Sequence, residues 1–193
     1  MTYRAFLVLG FAALFPTAFA WADDLANLRL SAEAGDAMAQ YSLANRYRDG
    51  DGVTRDADYA QAIAWFVRAA DQGHAGAMYN LGIMHRDGVG VAQDMAKAIE
   101  WLEKAGANGD GGALHNLGVM FFQGEGVEPD VAKGLAWFHK AAEVGYADAE
   151  FNLGVIHFKG QGVPQDREEA LRWFRRAADR GHAAAQALLE KLQ

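Results

Sequence analysis

The stretch GYADAEFNLG at residues 145–154 decides the fold, because its pattern returns as GHAGAMYNLG at 73–82, GDGGALHNLG at 109–118 and, more loosely, GDAMAQYSLA at 35–44. The opening glycines are Gly35, Gly73, Gly109, Gly145 and Gly181, spaced by 38, 36, 36 and 36 residues. A period of this size implies a solenoid, in which one supersecondary unit stacks on the next and buries a face it cannot bury alone. Stacked repeats present an extended surface, and such surfaces usually hold other proteins. The units run 35–72, 73–108, 109–144 and 145–180, with a half-unit at 181–193.

Each unit holds two helical patterns. The first, helix A, carries Leu43, Leu81, Leu117 and Leu153, each followed by a small residue: Ala44, Gly82, Gly118 and Gly154. A glycine inside a helix costs about 1 kcal/mol relative to alanine, so its recurrence implies close approach of a neighbouring helix. Helix A stops at a Gly-X-Gly-Val loop, seen at 50–53, 88–91, 124–127 and 160–163, where glycine accepts the left-handed conformation that closes a helix. Asp58, Asp94, Asp130 and Asp166 then stand where they cap helix B. The first unit has its two additional residues between Val53 and Asp58, so its loop is expected to protrude. Helix B carries Ala62, Ala98, Gly134 and Ala170, then Trp65, Trp101, Trp137 and Trp173, with Ala69, Ala105, Ala141 and Ala177 four residues on. Small and large residues on one face suit a helix wedged between helices, and the four tryptophans are expected to be core.

The chain is 51% hydrophobic and 22% charged, too apolar for disorder, and its net charge of −7 lacks the basic footprint of a nucleic-acid binder. Residues 1–22 read as a secretory signal peptide: Arg4, an apolar run at 5–15, Pro16, then Ala18-Phe19-Ala20 and Ala20-Trp21-Ala22, with cleavage after residue 20 or 22. The run is too short for a stable membrane span. Loss of Arg4 leaves 17 basic residues against 25 acidic, a net charge of −8. With no cysteine there is no lipoprotein anchor, disulfide framework or thiolate zinc site, and a periplasmic or secreted protein is expected.

These repeats resemble the Sel-1-like repeat family, a relative of the tetratricopeptide repeat. The pattern A-x-x-x-L-G-x-x-Y, then G-x-G-V-x-x-D, then A-x-x-W-x-x-x-A-A-x-x-G covers the chain from Asp36 onward. The family tyrosine stands only at Tyr47, with His85, Phe121 and His157 elsewhere, and Gly106 replaces the second alanine found as Ala70, Ala142 and Ala178. The resemblance implies an all-α, right-handed α-solenoid, with residues 24–34 as a worn helix B capping the N-terminus and 181–193 as a terminal helix A. It implies roles in envelope signalling, exopolysaccharide assembly or contact with host proteins.

Nothing in the chain marks an enzyme. The Gly-X-Gly segments lack a preceding strand and read as turns. Asp49-Gly50-Asp51-Gly52 resembles a calcium loop, but Val53 occupies the next ligand position. His74 and His182 read as helix-start residues, His85 and His157 as core aromatics with a satisfied polar end, and His115 and His139 have no partner at metal-ligand spacing. No catalytic, metal-binding or cofactor-binding residue is assigned. Some relatives bind or hydrolyse β-lactams, but those are cysteine-rich, and Ser31 and Ser42 are the only serines here. That enzymatic reading and a self-associating scaffold stand as the alternatives to a protein-binding adaptor or regulator.

In the related tetratricopeptide fold helix A lines the concave side. Carried over, the inward rows are Tyr41, Tyr79, His115 and Phe151; Asn45, Ile83, Val119 and Val155; and Arg48, Arg86, Phe122 and Phe158. The stripe is polar and basic near the N-terminus and apolar near the C-terminus. It is expected to bind a protein or peptide, with Arg48 and Arg86 offering the local site for an anion. Asn80, Asn116 and Asn152, with Ser42 in the first unit, either hold a peptide backbone through their amides or bond to a neighbouring turn. Export has a direct readout: N-terminal sequencing of periplasmic protein is expected to begin at Trp21 or Asp23, and an intact Met1 on soluble protein overturns it.

Overall fold

The computed structural model describes residues 17–51 and 57–192. The helix signals act where the sequence puts them. The side chains of Asp58, Asp94, Asp130 and Asp166 accept from the backbone N–H three residues on, at 3.1, 3.0, 2.9 and 2.9 Å. At the other end of helix A, Gly124 has φ 76° and donates its N–H to Met120 O. Its counterparts Gly50, Gly88 and Gly160 close their helices in the same left-handed conformation. The backbone N–H of each capping aspartate also donates to a carbonyl near the end of the preceding helix, Tyr47, His85, Phe121 or His157, which folds the connecting loop back on itself.

Ten α-helices result among the described residues: α1 (Thr17–Glu33), α2 (Ala37–Asp49), α3 (Tyr59–Asp71), α4 (Ala75–Asp87), α5 (Met95–Ala107), α6 (Gly111–Gln123), α7 (Val131–Glu143), α8 (Ala147–Lys159), α9 (Arg167–Asp179) and α10 (Ala183–Leu192). The even-numbered helices from α2 are the A helices and the odd-numbered ones from α3 are the B helices. From α2 to α9 each is 13 residues long, about 20 Å. Helices pack in sequence, most extensively α2 on α3, α4 on α5, α6 on α7 and α8 on α9, with each B helix also resting on the next A helix. This is the α-solenoid arrangement. α1 begins at Thr17, ahead of both expected cleavage points, and packs on α2. The rest of the expected signal peptide, residues 1–16, and the long first loop, residues 52–56, lie outside the described residues.

The recurrent glycine of helix A is explained by what faces it. A Cβ at Gly118 would stand 2.5 Å from Phe138 Cδ1, and one at Gly154 the same distance from Phe174 Cδ1. The phenyl rings of helix B thus lie against bare backbone of helix A, and Phe66, Leu102, Phe138 and Phe174 are buried. Around them Leu43, Leu81, Leu117 and Leu153, with the alanines at 69, 105, 141 and 177, are shut off from water. The result is a core running from unit to unit, with Trp137 packed against both of its larger clusters.

The tryptophans do not fill that core as their spacing implies. The residue after each tryptophan points inward, while Trp65, Trp101, Trp137 and Trp173 are half-buried at the rim. A cation three residues on covers one face of each half-buried indole: Arg68, Lys104, Lys140 and Arg176 stand 4.4, 4.5, 4.0 and 4.5 Å from the ring centroids. The i, i+3 spacing allows this, and such pairs stabilise by about 0.5–1 kcal/mol at exposed sites.

One polar contact varies from unit to unit. The fourth residue of helix A meets the residue that ends helix B in the same unit. Gln72 Nε2 donates to Gln40 Oε1 at 2.8 Å, Asn108 Nδ2 to Met78 Sδ at 3.6 Å, and Arg180 Nε to Glu150 Oε1 at 3.2 Å. Glu150 is fully buried, and Arg176 also pairs with it at 2.9 Å. In the third unit these positions are the apolar Leu114 and Val144. Burial sets the expected ranking of core variants: Phe138→Ala costs about 3–5 kcal/mol by urea unfolding, since the void against Gly118 cannot close, and Trp137→Ala costs less. An equal or larger loss for Trp137→Ala overturns this placement.

Candidate protein-binding face of the A helices

Three side-chain rows come up from consecutive A helices onto one face, and cross-unit bonds identify it. Arg48 Nη1 donates to Asn80 Oδ1 at 3.2 Å, Asn116 Nδ2 to the Tyr79 hydroxyl at 3.1 Å, and Asn152 Nδ2 to His115 Nε2 at 2.8 Å. Each asparagine therefore ties its own A helix to the one before. These amides work inside the array, and the partner is a neighbouring side chain where the sequence left a turn or a peptide open. Asn45 Nδ2 turns back to Tyr41 O, one turn earlier in its own helix.

The first row is wedged in place. Tyr41 lies 5.9 Å from Phe66 and stacks on His74 at 4.3 Å. His115 sits 5.6 Å from Phe138 and 5.4 Å from Tyr146, and Phe151 lies 5.5 Å from Phe174 and stacks on His182 at 4.4 Å. Each of these three rings thus contacts the core phenyl of its own unit and the residue after the next unit's opening glycine. His74 and His182 also cap: their Nδ1 atoms accept from Ala77 N and Ala185 N, both at 3.2 Å.

In the third row the expected anion site is corrected. Arg48 holds Asp49 through Nε at 2.8 Å and Nη2 at 3.1 Å, and Arg86 holds Asp87 at 2.7 and 3.1 Å. The guanidinium hydrogen bond keeps the Asp49 carboxyl below its usual range, so the pair is ionised and locally neutral. Phe122 and Phe158 take these positions in the last two units, half-buried like Val119 and Val155 beside them. Phe122 packs 5.9 Å from Phe138, and its backbone fits over Gly134, where a Cβ would come within 2.7 Å of Phe122 N.

Two histidine readings change as well. His85 and His157 are half-buried at the tyrosine position, but their Nδ1 atoms are enclosed with no hydrogen-bond partner among the described residues, so the polar end is not satisfied. His139 lies edge-on to Trp173 at 5.6 Å. No group of three or more His, Cys, Asp or Glu side chains among the described residues converges as a metal site, and none of the described helices is long and apolar enough to cross a membrane.

Four consecutive matches to the Sel1 repeat model cover residues 37–74, 75–110, 112–146 and 147–182. The chain belongs to the Sel1 repeat family. Among solved structures, it resembles a protective antigen of uropathogenic Escherichia coli with an SLR fold: 41% identity, TM-score 0.75, and coverage of 83% of this chain and 34% of that one. A Sel1 repeat protein of Oxalobacter formigenes is 37% identical with a TM-score of 0.72, over 86% of this chain and 47% of that one. The chain thus spans less than half the length of either Sel1 relative. A cysteine rich protein of Helicobacter pylori, 24% identical with a TM-score of 0.54, shares the fold over 67% of this chain and 92% of its own. The comparison with curated proteins found no match.

Sequence reasoning missed the neutralised arginines, although the Arg-Asp dipeptides at 48–49 and 86–87 carried the signal. It also missed the packing of the residue after each opening glycine on the previous unit's aromatic, which lies more than 30 residues earlier in the chain. Burial pushes the His115 imidazole below its ordinary value of 6.5, with Asp148 opposing weakly, and burial likewise lowers His139. A neutral ring with its proton on Nδ1 accepts the Asn152 amide at Nε2, and that tautomer matches the 2.8 Å contact. Below about pH 6.5 the unfolded chain therefore binds more protons at these sites than the folded chain, and stability falls as pH drops toward their lowered folded values. The melting temperature is expected to fall between about pH 7.5 and about pH 5.5, with a shallower fall in His115→Phe, the residue type that Phe151 supplies one unit later. A pH dependence unchanged in that variant overturns the assignment.

Proposed function

We propose that this Sel1 repeat protein is an exported, non-enzymatic adaptor or regulator that binds a partner protein or extended peptide on the shared face of its A helices. The observation that carries the reading is the change of character along that face. In the first two units it offers Asn45 and two arginines already paired with their own aspartates. In the last two it offers Val119, Phe122, Phe151, Val155 and Phe158, all half-buried rather than sealed in the core. Half-exposed aromatics beside polar surface have the composition of interface anchors, where a few large side chains supply most of the binding energy. With Arg48 and Arg86 neutralised, the attraction is apolar, and the partner's acidic residues have no free guanidinium here.

Export to the periplasm or beyond remains part of the proposal. It rests on the leader-like N-terminus, and the relative described as a protective antigen of uropathogenic Escherichia coli supports it.

The test is affinity capture from envelope extract with the mature chain as bait, followed by identification of the partner. Phe122→Ala with Phe158→Ala is expected to weaken capture by roughly tenfold or more while far-UV circular dichroism stays helical. Wild-type binding by that variant, with loss on substitution of the B helices, overturns the assigned face. Turnover of a chromogenic cephalosporin by the purified chain would overturn the non-enzymatic reading; none is expected.

A further inference from the structure

The third unit lacks the polar latch that joins helix A to the end of helix B in the other three. Leu114 and Val144 stand where Gln40–Gln72, Met78–Asn108 and Glu150–Arg180 bond. Gly106, in place of the family alanine, removes a further methyl: a Cβ there would stand 2.8 Å from Leu114 Cγ, so Leu114 leans across bare α5 backbone. These departures open a cleft of about 290 Å³ between the end of α5, the first turn of α6 and the end of α7, walled by Gly106, Leu114, Trp137 and Val144. Val144 is 52% exposed, one of few large apolar side chains left in water. The size lies near the lower limit of small-molecule pockets, roughly 300–1,000 Å³, and suits one inserted side chain.

The rim selects the occupant. Glu103 and Glu143 are exposed, whereas the Lys140 ammonium lies over the Trp137 ring at 4.0 Å. Two carboxylates thus stand against one ammonium at the mouth, which leaves it net acidic by one charge. A second copy of this chain fits poorly: Met38, among its most exposed apolar side chains, stands beside Asp36, and docking it brings acid to acid. We propose that the cleft is a second docking site, independent of the A-helix face, which takes one bulky apolar side chain from a basic segment of a partner protein. Glu103 and Glu143 pair with basic residues on either side of that anchor. An apolar anchor supplies affinity and rim charges supply steering and selectivity.

The probe is a labelled peptide with one leucine between pairs of arginines, compared by fluorescence anisotropy with an alanine-centred and a glutamate-flanked version. The leucine–arginine peptide is expected to bind best. Val144→Glu is expected to weaken it by roughly tenfold, and Glu103→Lys with Glu143→Lys to weaken it similarly while gaining the glutamate-flanked peptide. The Glu103 and Glu143 variant changes only exposed side chains, so it carries the test should Val144→Glu fail to fold. Phe122→Ala with Phe158→Ala should leave this binding unchanged, which separates it from the face proposed above. Equal binding of all three peptides, loss through the phenylalanine variant alone, or self-association abolished by Val144→Glu each overturns the proposal.

Discussion

The last three units depend on one steric constraint: helix A presents backbone without a side chain where helix B presents its buried phenylalanine or leucine. At Gly118 and Gly154 the missing Cβ is the space that Phe138 and Phe174 occupy. A methyl there would push the ring outward and widen the helix pair, and every later unit would inherit the error because each rests on the one before. Gly82 shows the same fit with Leu102, whose Cγ would lie 2.8 Å from an added Cβ. The helix-propensity cost of a mid-helix glycine is offset by a contact no other residue permits.

The shared A-helix face follows from that packing. The first-row aromatics cover the core phenyls from one side, and the residue after the next unit's opening glycine packs on them from another, stacked for His74 and His182 and tilted for Tyr146. Asparagine amides then close the gaps between consecutive A helices. What remains half-exposed is what stacking does not need, and its character is free to vary. In the first two units an arginine held by its neighbouring aspartate fills this space, and in the last two a phenylalanine does. The cleft beside Val144 has the same origin on the other side of the array, where three adjacent positions departed from the pattern together.

Local signals were legible in the sequence because they act over three or four residues. The capping aspartates and the loop glycines needed only their own helix ends, and the period of 36 residues identified the solenoid without further help. Inward direction was less legible. Tryptophan and the phenylalanine or leucine that follows it, as at 137–138, are both large and apolar, and neighbouring residues on a helix point about 100° apart. Which one goes inward depends on the glycine of another helix, and the cation that covers the indole is read only once that is known. Side-chain pairing was the hardest part. Nothing local says that the Arg48 guanidinium turns to Asp49, or that the His85 and His157 rings end without a partner for Nδ1.

The latch between helix A and the end of helix B matters for how a repetitive chain finds its register. Four nearly equivalent helix pairs invite exchange, since every B helix offers a buried phenylalanine or leucine and every A helix a small residue. The latches differ, and Glu150 discriminates most strongly. If α8 folded onto α7 in place of α9, Val144 would stand where Arg180 belongs and Lys140 where Arg176 does, so the Glu150 carboxylate would keep at most one of its two cationic partners. Losing one partner of a buried carboxylate disfavours the slipped pairing against the native one. The buried acid thus acts as a key that numbers the last unit.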